Sequence, residues 1–129
     1  SVATPFEHRS FGEELALCKR YFSKTFPQGT APAAGASYCI YEHLEDYSSG
    51  ASNFSYNYSV EMRTAPTVVF YTTSSSSNGT GRVSFYDGAW QNGAVSLGSN
   101  SSGVVCTGEA TLTTGVTLVQ YNLTADAEL

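Results

Sequence analysis

A chain of 129 residues is long enough to bury a core without disulfide or metal staples and short enough to form one domain. Only 13% of it is charged, against roughly 25% in ordinary soluble domains, so a neutral, polar surface is expected, drawn from abundant Ser, Thr, Gly, Tyr and Asn. Eleven acidic against six basic residues give a formal charge of -5 with no basic stripe, which sets nucleic acid aside as a partner.

No window holds the roughly 18 apolar residues of a membrane helix, and the opening SVATPFEHRS lacks the charged-then-apolar build of a signal peptide. A soluble chain is expected. Its start at Ser1 without Met fits a fragment of a longer protein or a processed N-terminus. Cys18, Cys39 and Cys106, odd in number and widely spaced, offer neither a disulfide framework nor a metal knuckle, and buried free thiols are the expectation.

Residues 1–10, with Pro5 and little periodicity, read as an extended lead-in. Ser10-Phe11-Gly12-Glu13 matches a capping box, and Phe11, Leu15, Cys18 and Phe22 recur at helical spacing, which predicts a short helix from Phe11. Arg20-Tyr21-Phe22 fits equally the end of that helix or the opening of a strand to Phe26, and the helix is expected to give way near Lys19. PQGTAPAAG at 27–35 is a loop on composition. Ala36 to Leu44 has strand content, with Tyr38, Ile40 and Glu42 on one face, and 45–51 is a turn.

The core is expected around Ser52 to Tyr71. Phe54, Tyr56, Tyr58, Val60 and Met62 alternate with Ser55, Asn57, Ser59, Glu61 and Arg63, the period of a strand with one buried and one wet face. Beyond Pro66 the unbroken run Val68-Val69-Phe70-Tyr71 suits a strand covered on both faces. A loop tip with an Asn78-Gly79 hairpin signal follows at 74–81. Arg82 to Tyr86, Ala94 to Leu97, Gly103 to Thr107, Glu109 to Thr113 and Gly115 to Leu123 are short segments bounded by Gly, Asn or Asp. That spacing predicts an all-β fold, a mostly antiparallel β-sandwich of jelly-roll type with one short N-terminal helix over residues 11–19. Its expected core is Phe54, Tyr56, Tyr58, Val60, Val68, Phe70, Val83, Phe85, Leu118 and Tyr121.

Three segments, TPFEHRSFGEELALCKRYF at 4–22, VEMRTAPTVVFY at 60–71 and the closing TADAEL at 124–129, occur in that order. Together they resemble the C-terminal, receptor-binding domain of tailed-phage tail fibre proteins and their prophage relatives. Lys19 stands where that pattern has Gln and Phe22 where it has Tyr; residues 72–118 lie outside the resemblance. It implies a β-sandwich at the distal tip of a trimeric fibre of the virion that meets the host surface. Residues 1–10 would then connect from an upstream fibre module and 11–129 would form the domain. Residue-level binding roles do not carry over.

Among candidate sites, His8 and His43 lie in no nucleophile elbow or metal-ligand spacing. Glu42-His43-Leu44-Glu45-Asp46 gathers ligand-type side chains without the glycine-bearing loop of a calcium site, and reads as a solvated turn. No carboxylate pair for glycoside cleavage stands out, so neither an enzyme nor a bound cofactor or metal is expected. Asp87-Gly88-Ala89-Trp90-Gln91-Asn92-Gly93 brackets the only tryptophan between two turn dipeptides. In a loop, Trp90 would stack on the apolar face of a sugar while Asp87, Gln91 and Asn92 fix its hydroxyls; the alternative is ordinary packing in the core or a subunit interface. Asn53, Asn57, Asn78, Asn100 and Asn122 each begin N-x-S/T, which would mark surface positions in a secreted lectin-like glycoprotein.

The functional classes left open are a tip that binds a host-surface glycan, a structural cap that trimerises and closes a fibre, and a depolymerase; the absent carboxylate pair favours the first two. A homotrimer is expected from the resemblance and from aromatics in excess of the core positions. The loops at 74–81, 87–93 and 98–103 are expected to cluster distally and carry recognition.

Overall fold

The computed structural model describes residues 9–36, 38–44, 53–73, 81–86, 88–108 and 118–128. The chain begins with the capping box. The Ser10 hydroxyl accepts from the Glu13 amide at 3.3 Å, and the Glu13 carboxylate accepts from the Ser10 amide at 2.9 Å. The Ser10 amide, and then its hydroxyl donating at 3.0 Å, hold the Glu13 carboxyl below its ordinary pKa. Helix α1 (Phe11–Lys19) follows and gives way at Arg20 to strand β1 (Phe22–Lys24). The expected boundary near Lys19 is the observed one. Its apolar stripe, however, is only partly inward: Leu15 and Ala16 are half-buried, no α1 residue is fully buried and Phe11 is 75% exposed. Cys18 is therefore an exposed thiol and Cys39 a half-buried one; only Cys106 meets the expectation of burial.

The remaining strands are β2 (Ile40–His43), β3 (Asn53–Asn57), β4 (Thr67–Tyr71), β5 (Arg82–Tyr86), β6 (Trp90–Ser99), β7 (Gly103–Gly108) and β8 (Leu118–Asp126). All pair antiparallel in a curled sheet ordered β1-β8-β5-β6-β7-β3, with β2 and β4 also on β8. β8 is the hub. Residues 118–120 are flanked by both β2 and β5, and residues 124–126 by both β1 and β4, so both of its edges are occupied. β6 bridges similarly, pairing with β5 through 90–94 and with β7 through 95–99. The strand expected over 109–113 and the loop at 74–80 lie outside the described residues, as do His8, Glu45 and Asp46.

The curl brings β3 against the hub. The Phe54 ring stands 5.2 Å from that of Tyr121, 6.3 Å from Phe70 and 6.4 Å from Phe85. Around them close Val83, Val104, Cys106, Val119, Leu123 and Met62. Burying one such aromatic contributes about 2–3 kcal/mol from area alone, and its loss to alanine costs about 3–5 kcal/mol once the cavity is counted. The alternation from Phe54 to Arg63 is reproduced in burial, yet the ladder stops at Asn57. From there the Ser102 and Ser101 carbonyls accept from the Tyr58 and Met62 amides, so a non-strand segment keeps the strand's inward parity. Tyr56, Val60, Val68 and Leu118 are half-buried rather than buried. Leu118 corrects the core assignment because its parity on β8 is that of Gln120, opposite to Val119 and Tyr121.

Residues 20–24, 63–71 and 124–127 converge in space. β1 and β4 both pair with the C-terminal half of β8. The Arg63 amide donates to the Arg20 carbonyl at 2.9 Å, the Ala127 amide to the Tyr21 carbonyl at 2.7 Å, and the Arg63 guanidinium lies over the Tyr21 ring at 5.2 Å.

Candidate functional site

Gly88, at φ 103°, lies between β5 and β6 in the left-handed region that favours glycine. The register then pairs Tyr86 with Trp90, Phe85 with Gln91, Ser84 with Asn92 and Val83 with Gly93. The loop expected over 87–93 is thus corrected: Trp90 to Gly93 are ladder residues. The Asn92-Gly93 dipeptide makes no turn because the Asn92 side chain accepts across the ladder from the buried Ser84 hydroxyl at 2.9 Å. The expected distal clustering is corrected as well. The connections at 88–89 and 100–102 sit at opposite ends of the ten-residue β6, about 30 Å apart along the strand. Asp87 lies outside the described residues.

Paired residues of an antiparallel ladder share a face, and here the registers line up across four strands. Tyr41, Gln120, Ser84 and Asn92 form one row over β2, β8, β5 and β6; His43, Leu118, Tyr86 and Trp90 form the next. The rows span three strand spacings, about 14 Å. Tyr41 is 59% and Trp90 37% exposed, His43 is exposed, and Leu118, Tyr86, Gln120 and Asn92 are half-buried. The Tyr86 and Trp90 rings lie 5.1 Å apart, tilted by 54°. Thr73 fixes the polar row: its amide donates to Ser84 Oγ at 3.3 Å and its hydroxyl to Gln120 Oε1 at 2.7 Å.

Further along β8 the same face is closed. Phe26 packs edge-on against Tyr71 at 5.4 Å, the Gly35 amide donates to the Thr72 carbonyl, and Asn122 is held by the Thr25 hydroxyl and the Tyr38 carbonyl. Thr25, Phe26, Gly35 and Tyr38 therefore cover one half of the face, and among the described residues nothing covers the aromatic rows.

Of the sequence-derived site residues, the structure brings Trp90 and Asn92 together, while Gln91, paired with Phe85, belongs to the opposite face. Tyr86, Tyr41 and Gln120 were missed, and His43 was weighed only as a base or metal ligand, since only the inter-strand register makes them neighbours. Glu42 and His43 occupy opposite faces of β2, and Glu42 is engaged by the Tyr121 hydroxyl at 2.7 Å. Among the described residues no three His, Cys, Asp or Glu side chains gather as a metal site. Of the N-x-S/T asparagines, Asn122 is 1% exposed and closed to modification in the folded chain. Asn100 uses its side-chain oxygen on the Ser102 and Gly103 amides at 2.8 and 3.0 Å. No family model matches the chain, and no match was found among curated proteins or solved structures.

Proposed function

We propose that the chain is a non-catalytic receptor-binding domain that holds a host-surface glycan on the open face of β2, β8, β5 and β6. It would act as the distal tip of a trimeric tail fibre on a phage virion. The observation that carries the binding reading is the Tyr86–Trp90 pair, Tyr86 half-buried and Trp90 exposed, beside the half-buried Gln120 and Asn92. Flat rings give a sugar's C–H face a large contact at little entropic cost, and amide and hydroxyl groups bind its hydroxyls without moving a proton. The fibre reading rests on the three resembling segments, and the convergence of residues 20–24, 63–71 and 124–127 around β8 supports treating them as one unit. On that reading the curl that lays β3 over β8 is a sandwich of jelly-roll type.

A shallow open face gives weak single-site affinity, with Kd of about 1 mM or -4 kcal/mol, which trivalent display raises. The test is adsorption to host cells together with a glycan array. Trp90→Ala and Tyr86→Ala each abolish binding while far-UV circular dichroism and assembly mass stay unchanged. Full adsorption by both variants would refute the site, and shortened products after incubation with host polysaccharide would refute binding without catalysis. The second reading, a structural cap, is favoured by the exposed Phe11 and Leu17 on α1; it expects no adsorption by the wild-type protein.

A further inference from the structure

Arg82 opens β5, two positions before Ser84 and four before Tyr86, so the period of a strand sets it on the face that carries the Tyr86–Trp90 pair. That is about 14 Å along the strand from the two rings. Its ladder partner on β6 is Ala94, whose methyl group rises little above the sheet. Thr73 bridges β5 and β8 through Ser84 and Gln120, so the way from Trp90 to Arg82 runs over Asn92 and Ala94 on β6.

Other cations of the chain are engaged: Arg9 is paired with Glu14 at 3.5 Å, Lys24 Nζ donates to the Thr30 carbonyl at 2.6 Å, and the Arg63 guanidinium lies over the Tyr21 ring. Arg82 is exposed, and among the described residues its guanidinium engages no acid, carbonyl or ring. Nor does a described carboxylate stand near it on this face. Glu42 lies on the opposite face of β2, Glu61 holds the Ser101 hydroxyl, and Asp126 is six positions beyond Gln120 on β8, about 20 Å away. On a chain whose formal charge is -5, a negative ligand is repelled by most of the surface and gains contact at this corner.

We propose that Arg82 makes the face selective for acidic sugars: a glycan stacked on Tyr86 and Trp90 runs along β6 and places a ring carboxylate on the Arg82 guanidinium. The planar fork of arginine suits a carboxylate with two parallel hydrogen bonds. This rests on the glycan reading of the same face and adds the class of sugar that it prefers.

An array of oligosaccharide pairs that differ only in whether one hexose is replaced by its uronic acid reads the preference directly. The wild-type chain should bind the acidic member about fivefold tighter than the neutral one at low salt, and about 1 M sodium chloride should remove most of the difference. Arg82→Gln should bind both members as the wild type binds the neutral one, with an unchanged circular dichroism spectrum, the residue being exposed. Arg82→Lys should restore part of the preference, since it returns the charge without the fork. Equal binding of both members by the wild type would overturn the selectivity and leave the glycan face standing, and so would an Arg82→Gln variant that keeps the full preference. A wild-type chain that binds no member of any pair would overturn both readings.

Discussion

The Tyr121 hydroxyl donates to Glu42 Oε1 at 2.7 Å, tying the hub strand to β2 on the core side of the sheet. Tyr121 is fully buried, and burial, with this bond and the Glu42 charge behind it, pushes its hydroxyl pKa far up. Tyr121→Phe strips the carboxylate of its donor while leaving the ring contacts with Phe54 and Phe70 intact. The expected loss is about 1–3 kcal/mol, read as a lower urea midpoint at pH 7 with an unchanged slope. An unchanged midpoint would show that the bond contributes nothing net.

Tyr58 is the counter-case. Its hydroxyl is buried with no hydrogen-bond partner among the described residues, so the desolvation of that oxygen is uncompensated. Tyr58→Phe keeps the edge-to-face contact with Tyr56 at 6.0 Å and removes the orphan oxygen. The melting temperature should hold or rise, the gain reaching about 1 kcal/mol; a fall of that size would mean the oxygen has a partner after all.

Alkaline pH should weaken the fold through the same cluster. Burial, aided by neighbouring groups, pushes the Tyr58 hydroxyl from its ordinary 10.0 and the Cys106 thiol from 9.0 up to about 12, and Tyr121 moves the same way. The folded chain then keeps protons that the unfolded chain releases. Stability is unaffected by these groups below about pH 9 and falls as pH rises above it, by about 1.4 kcal/mol per pH unit for each group that remains protonated only when folded. Urea midpoints between pH 7 and 11 check this; equal midpoints at pH 8 and 11 would contradict it.

Two glycines should respond to alanine with opposite signs. At Gly103, opposite Asn57 in the β3–β7 ladder, an added Cβ would meet the Tyr56 carbonyl oxygen at 2.6 Å, so Gly103→Ala forces the backbones apart at a cost of about 1–3 kcal/mol. At Gly98 on β6 nothing lies within 4 Å of the added carbon. Gly98→Ala should instead stabilise by about 0.5–1 kcal/mol through the lost freedom of the unfolded chain. Thermal melts of the two variants should move in opposite directions.

What was legible in the sequence was local. Ser10 and Glu13 are three residues apart and close their box without help from the fold, so α1 and its start could be read directly. The parity of Phe54 to Arg63 also survived, even where the ladder ended, because inward and outward side chains are set by partition between core and water. Trp90 was misplaced because Asn92-Gly93 looks like a turn in isolation, and it is the Ser84 hydroxyl on the neighbouring strand that engages Asn92 within the ladder. The candidate face was illegible for a related reason: Tyr41, Tyr86 and Trp90 share a face only through registers on either side of β8. The α1 stripe has the pattern of an inward one although Phe11 lies outward and Leu15 is only half-buried, since periodicity records that a face is apolar and not which surface covers it.

The position of β8 in the chain also governs when the molecule can fold. Four strands, β1, β2, β4 and β5, take their ladder partners from it, and it is the last of the eight to leave the ribosome. At about 5–20 residues per second, the emerging chain carries those four edges unpaired for several seconds. Their pairings then form across long sequence separations, which slows closure further. Closure of the sheet therefore follows the synthesis of every other described strand.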